Sequence, residues 1–85
     1  MTLLEDFFKA SEDVKMLPYS VSDSTKLKLY GLYKQATIGD VNYPRPTGMF
    51  NIKEKAKYDA WFENKDMSKE SAMNEYINLV SELQQ

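Results

Sequence analysis

Apolar residues recur along this chain at helical spacing in four blocks, and no stretch alternates apolar and polar residues long enough to form a strand. In the first block Leu3, Leu4, Phe7, Phe8, Ser11 and Val14 follow the three-to-four rhythm of one helix face. Thr2, with Glu5 three positions later, is the reciprocal capping pair that starts a helix. Pro18 ends this element, because the residue before a proline avoids the α region.

The second block starts at Ser22 or Asp23 and runs through Leu27, Leu29, Tyr30, Leu32, Tyr33 and Ala36 to a stop at Gly39. At 100° per residue, Leu29, Leu32, Tyr33 and Ala36 share one arc, and Leu27, Tyr30, Lys34 and Thr37 share the next. Residues 39–50 hold Gly39, Pro44, Pro46 and Gly48, which forbid a regular helix and predict a long loop. Asn51 with Glu54 is a second capping pair, predicting a third helix over roughly 52–64. Ser68 caps a fourth over roughly 69–83, whose stripe is Ala72, Met73, Tyr76, Ile77, Val80 and Leu83. The pattern predicts one all-α domain over residues 1–85, a four-helix bundle with a long connection between helices 2 and 3.

Composition narrows the chemistry. The 85 residues contain no Cys and no His. Cysteine nucleophiles, Ser-His-Asp catalysis and nearly all zinc sites are thereby removed, so the expectation is a protein that is not an enzyme and holds no metal. The net charge of −2 is unevenly spread. Residues 26–57 carry seven bases against two acids, while both flanks are acidic. That suits a compact anionic ligand better than a nucleic acid, and an ordinary solvated basic face fits equally well. No apolar stretch reaches the ~20 residues of a membrane span. There is no basic start leading into an apolar run and no lipidation signal, so the expectation is a cytoplasmic protein without stable membrane insertion.

Two groups of residues could bind such an anion. Lys53 and Lys57 stand one turn apart, a like-charge pair that costs a few tenths of a kcal/mol in an isolated helix. Tyr30 and Tyr33 stand at i and i+3 beside Lys34. Aromatic faces stack on a nucleobase, a phenol donates to phosphate, and an ammonium pairs with it as a point charge. The same residues also read as half-buried core aromatics and a solvated lysine. Tyr76 and Trp61 read as core. Phe7 and Phe8 diverge by about 100°, so one faces the core and the other lines its edge.

At Leu29 to Asp40, through Pro44-Arg45-Pro46 and Gly48-Met49-Phe50, at Lys55 to Trp61, and again at Met67 to Glu70, Ala72-Met73 and Tyr76-Ile77, the sequence resembles the acyl-CoA-binding protein family. The resemblance implies an up-down-down-up bundle that binds fatty acyl-CoA thioesters of medium and long chain without catalysis or cofactor. It also implies pooling and intracellular transport of that ligand by a monomer that meets acyl-CoA-using enzymes. It places the 3′-phosphate of CoA at Tyr30, Lys34 and Lys57, and the adenine on Tyr33. Lys15 and Lys53 then lie near the head group, Tyr76 reaches the ligand from the fourth helix, and Phe7 and Leu27 border the acyl chain. The chain departs from the family pattern at Ser11, Lys26, Thr47, Glu54 and Tyr58. A helical protein-interaction module without a lipid ligand is the alternative reading of the same Tyr and Lys surface.

Overall fold

The computed structural model describes residues 2–85. Four α-helices follow one another: α1 Leu3–Asp13, α2 Asp23–Thr37, α3 Ile52–Phe62 and α4 Lys69–Leu83. The Thr2–Glu5 capping box forms in both directions, and Ser22 and Ser68 cap α2 and α4 by accepting from Thr25 and Ser71 N–H. Gly39, at φ 100°, returns its N–H to the carbonyls of Lys34 and Gln35 and so closes α2.

Three boundaries differ from the sequence expectation. α1 does not continue to Pro18; a 3-10 turn, Val14–Met16, tightens its end and leads into extended backbone at Leu17. α3 stops at Phe62, where carbonyls of Asp59, Trp61 and Phe62 are taken up by the N–H groups of Glu63, Asn64 and Lys65. Asn51 does not cap α3 with its side chain; its amide donates instead to the carbonyl of Thr47, 2.6 Å away, and braces the loop.

Neighbouring pairs give the topology. Tyr30 meets Lys57, Gly31 meets Ala60 and Lys34 meets Trp61, so α2 and α3 run parallel. Phe7 meets Tyr76 while Tyr19 donates to the carbonyl of Leu83, so α1 and α4 are also parallel. Tyr33 meets Tyr76 and Gln35 reaches the carbonyl of Met67, so α2 opposes α4. The result is the up-down-down-up bundle. Its core is Phe7, Ala10, Leu29, Leu32, Ala36, Ala72, Tyr76 and Val80, with Trp61 buried between α3 and the start of the long loop. Burial of these side chains supplies most of the stabilisation, at about 1.5–3 kcal/mol for each large apolar one.

A parallel pair needs a long return connection, and residues 38–51 provide it. That loop is tied down along its length. Trp61 Nε1 donates to the carbonyl of Gly39 at 2.8 Å. Gln35, fully buried, donates through Nε2 to both Asp40 Oδ1 and the Met67 carbonyl, each at 2.8 Å. Asp40 Oδ1 also accepts from the N–H of Asp66, whose backbone takes the left-handed conformation that aspartate tolerates. Tyr43 packs edge-on against Tyr58 and Trp61, and Arg45 grips Asp59 with two parallel bonds of 2.8 and 2.9 Å.

The helix crossing depends on Gly31. A Cβ there would lie 2.3 Å from the carbonyl oxygen of Ala60, a backbone atom that cannot swing aside. Helix propensity alone favours alanine by about 1 kcal/mol. Overpacking costs about 1–3 kcal/mol, and a clash this close with backbone belongs at the upper end. Gly31→Ala is therefore expected to lower the melting temperature, by about 4–8 °C per net kcal/mol. A melting temperature raised by the substitution would contradict the close approach.

Hydrogen bonds from Gln35 and from the Asp66 backbone hold the Asp40 carboxyl below its ordinary pKa. Its contribution to stability is thus complete above the unfolded value, near 3.9, and is lost as the pH falls through the lower folded value. Thermal melts from pH 7 to pH 2 are expected to show this loss beginning near pH 4. Asp40→Asn, less stable at neutral pH, is expected to fall less steeply over the acid range. An equally steep fall would show that Asp40 does not contribute to the acid response.

Candidate functional site

One exposed arc of α2 presents Lys26, Leu27, Tyr30, Tyr33 and Lys34, and two cavities flank it. The first, about 460 Å³, lies between α2, the Val14–Val21 segment and α4, and is lined by Lys15, Lys26, Tyr30, Tyr33 and Tyr76 with apolar Val14, Leu17 and Leu29. The second, about 620 Å³, lies between the starts of α2 and α3 and is lined by Asp23, Lys26, Leu27, Tyr30, Ile52, Lys53, Ala56 and Lys57. Lys26 and Tyr30, one turn apart, line both.

The charge distribution centres on Tyr30. Lys34 Nζ stands 5.8 Å from the centre of its ring and Lys57 Nζ stands 5.6 Å from it, so ammonium groups from two different helices approach one aromatic ring. Lys34 also lies 5.6 Å from the Trp61 ring. Neither lysine, nor Lys53, forms an ion pair among the described residues. Partial burial, followed by Tyr43 and Glu54, pushes the Tyr30 phenol above its usual pKa, so it remains a proton donor at neutral pH. Two cations and a phenolic O–H around one open surface match the needs of a doubly charged phosphate.

An aromatic cluster supports the first cavity from beneath. Tyr33 stacks on Phe7 with ring centres 5.3 Å apart, and Tyr76 packs against both. Tyr33 keeps about a third of its surface exposed, whereas Tyr76 is 4% exposed and its phenol is pushed up first by burial and then by Tyr33. Tyr33 is thus a ring fixed on one side and open to the cavity it lines.

The residues singled out from sequence fall into distinct places. Tyr30, Lys34 and Lys57 are brought together. Lys15, Tyr33 and Tyr76 line the first cavity, and Lys15 is also paired with Glu12 at 3.6 Å on the surface. Lys53 and Leu27 line the second. Phe7 departs from its expected place at an acyl groove: it is 0% exposed and lines neither cavity. Its position on α1 faces the Tyr33–Tyr76 pair, and Phe8 takes the exposed edge instead. Tyr76, read from periodicity as core, is both core and cavity wall.

Sequence reasoning gave no role to Lys26, which borders both cavities, or to Gly31 and Gln35, whose burial fixes α2 against its neighbours. Gly31 did carry a signal, since a glycine inside a helix is unfavourable unless something approaches closely. No group of three or more metal-ligating side chains forms among the described residues.

Comparison with known proteins bears on what this surface does. The family model described as acyl CoA binding protein matches residues 4–80. Acyl-CoA-binding domain-containing protein 3 of Oryza sativa subsp. japonica is 54% identical over the whole of this chain, which spans 54% of that relative's length. Acyl-CoA-binding domain-containing protein 1 of the same plant is 53% identical, covering 98% of this chain and 90% of its own. The crystal structure of Oryza sativa acyl-CoA-binding protein 2 superposes with a TM-score of 0.89 at 49% identity, covering 96% of this chain and 90% of that one.

Proposed function

The chain belongs to the acyl-CoA-binding protein family, a non-catalytic binding family, and from that premise we propose that it binds fatty acyl-CoA thioesters across the α2 surface. The observation that carries the reading is the convergence of Lys34 and Lys57 on Tyr30, with an apolar cavity on either side of that ring. The 3′-phosphate of CoA is assigned to Tyr30, Lys34 and Lys57. The adenine is assigned to the open side of Tyr33, with Lys15, Lys53 and Tyr76 bordering the rest of the head group. The acyl chain is assigned to the second cavity, along Leu27, Ile52 and Ala56.

No bond is made or broken in this mechanism. Chain burial removes the apolar tail from water at up to ~0.8 kcal/mol per methylene, and charge-assisted contacts fix the head. The bound thioester is kept out of micelles and bilayers, which makes the protein a pool former and intracellular carrier for acyl-CoA-using enzymes. We assign this role to a cytoplasmic monomer. Material purified from expressing bacteria should show bound acyl-CoA by native mass spectrometry; a chain that never carries it would favour the helical interaction module instead.

Calorimetric titration with a series of acyl-CoA thioesters is expected to show affinity rising tenfold or more over four added methylenes, then levelling off. Free CoA is expected to bind far more weakly. Leu27→Ser should flatten the dependence on chain length while changing free-CoA binding little. Equal affinity for CoA and palmitoyl-CoA would remove the acyl groove from this account.

Lys34→Ala and Lys57→Ala are each expected to cost about 1.5–3 kcal/mol in palmitoyl-CoA binding, the usual worth of a hydrogen bond to a charged group, without unfolding the bundle. Against the dephospho-CoA thioester, which lacks the 3′-phosphate, the same substitutions should cost little. Equal losses against both ligands would move the lysines away from the 3′-phosphate. Tyr33→Ala should weaken binding more than Tyr33→Phe, because the proposed contact is the ring face.

A further inference from the structure

Between the 3-10 turn and α2 the chain forms one wall of the first cavity without regular structure. Leu17 and Ser22 are extended there, and residues 18–21 make no backbone–backbone hydrogen bond among the described residues. The Tyr19 hydroxyl ties this segment to the Leu83 carbonyl. Ser20, the next residue, is exposed and lines the cavity together with Lys15 and Lys26. Its hydroxyl has no hydrogen-bond partner among the described residues, whereas that of Ser22 is engaged as the cap of α2.

Charge pattern around a hydroxyl is one of the features by which protein kinases select a substrate. An acid three positions after a serine or threonine occurs at Thr2 with Glu5, at Ser20 with Asp23 and at Thr37 with Asp40. Thr2 is engaged as the cap of α1, and Thr37 lies in α2 with its hydroxyl donated to the Tyr33 carbonyl. Neither lines the first cavity. Ser20 alone combines the acidic pattern with an unengaged hydroxyl on an irregular, exposed segment, and it alone stands where the head group is assigned.

We propose that Ser20 is a phosphorylation site for an acid-directed serine kinase, and that the modification closes the first cavity to the acyl-CoA head group. In the transfer the Ser20 Oγ bonds to the terminal phosphorus of ATP. The bond from that phosphorus to the bridging oxygen breaks, ADP leaves with the electron pair, and the hydroxyl proton passes to a carboxylate of the kinase. The phosphoserine carries a charge of about −1.5 to −2 at pH 7. In the cavity wall it competes for Lys15 and Lys26 and repels the phosphates of CoA. Ser20 does not line the second cavity, so the grip on the acyl chain is left intact. The regulatory effect rests on the acyl-CoA reading above.

Two measurements test the site. The 85-residue protein is incubated with ATP and purified casein kinase II, an acid-directed serine kinase, and the modified residue is located by mass spectrometry. One phosphate is expected at Ser20, none at that position in Ser20→Ala, and slower transfer to Asp23→Asn. The phosphorylated protein is then titrated with palmitoyl-CoA and octanoyl-CoA. Both affinities are expected to fall by about tenfold or more, and by the same factor, because the added charge acts on the head group. The factor should shrink as salt rises, phosphatase should restore both affinities, and circular dichroism should be unchanged throughout. Absent transfer to Ser20, unchanged affinity, a loss confined to the longer chain, or an unfolded modified bundle would each overturn the proposal. Failure of the unmodified protein to bind either thioester would overturn the function proposed above instead, and the mass spectrum would still decide the modification site.

Discussion

Where α2 meets α3, a glycine faces a backbone carbonyl at a distance no side chain could occupy, and the two helices run parallel past that point. The proposed binding surface follows from this approach. Lys57 on α3 reaches the Tyr30 ring on α2 because one turn separates Lys57 from the Ala60–Gly31 contact. The second cavity lies between the starts of the same two helices, with Leu27 and Ala56 in its lining. A wider crossing would separate Lys34 from Lys57 and leave two ordinary surface lysines. Like charges held near one ring repel each other, and an anion placed between them would relieve the repulsion.

Parallel neighbours demand a long return, and a long return costs chain entropy. The bundle offsets that cost at both ends of the loop. Gln35, Asp40 and Asp66 form a small buried-to-surface polar chain near the end of α2, and Trp61 reinforces it from α3. Farther along, Arg45 and Asp59 form an exposed two-bond pair, where solvent weakens the attraction but planar geometry still sets position. The loop then reaches α3 at the Asn51 brace, where the exposed Met49–Phe50 turn precedes Ile52 of the cavity lining. One connection therefore both permits the parallel pair and leads into the helix whose Ile52 lines the second cavity.

Local chemistry was legible in the sequence wherever the determinant was local. The capping pair at Thr2 and Glu5, the caps at Ser22 and Ser68, and the stop at Gly39 involve partners within five residues, and each forms. Asn51 looked the same from sequence, yet its amide had a competing acceptor at Thr47 that no capping rule anticipates. Phe7 and Phe8 could not be told apart, because spacing gives the angle between them but not which one meets the core. The fourfold helical pattern and the family resemblance gave the bundle; the match over residues 4–80 agrees with both. The convergence on Tyr30 could not be reached from spacing, since it depends on Lys57, 27 positions away. Gln35 was equally hidden, a polar residue on the helix face that proves to be wholly buried.

The most direct test of the account is a backbone-amide NMR titration of the protein with palmitoyl-CoA. The account predicts saturable shifts on α2 from Lys26 to Lys34, on α3 from Ile52 to Lys57, and at Lys15 and Tyr76. The surface between α1 and α4 around Asp6, Lys9 and Ser81, which holds a separate small cavity of about 190 Å³, should stay unmoved. Shifts confined to that α1–α4 surface, or none at saturating ligand, would contradict the claim that the Tyr30 convergence is the binding site.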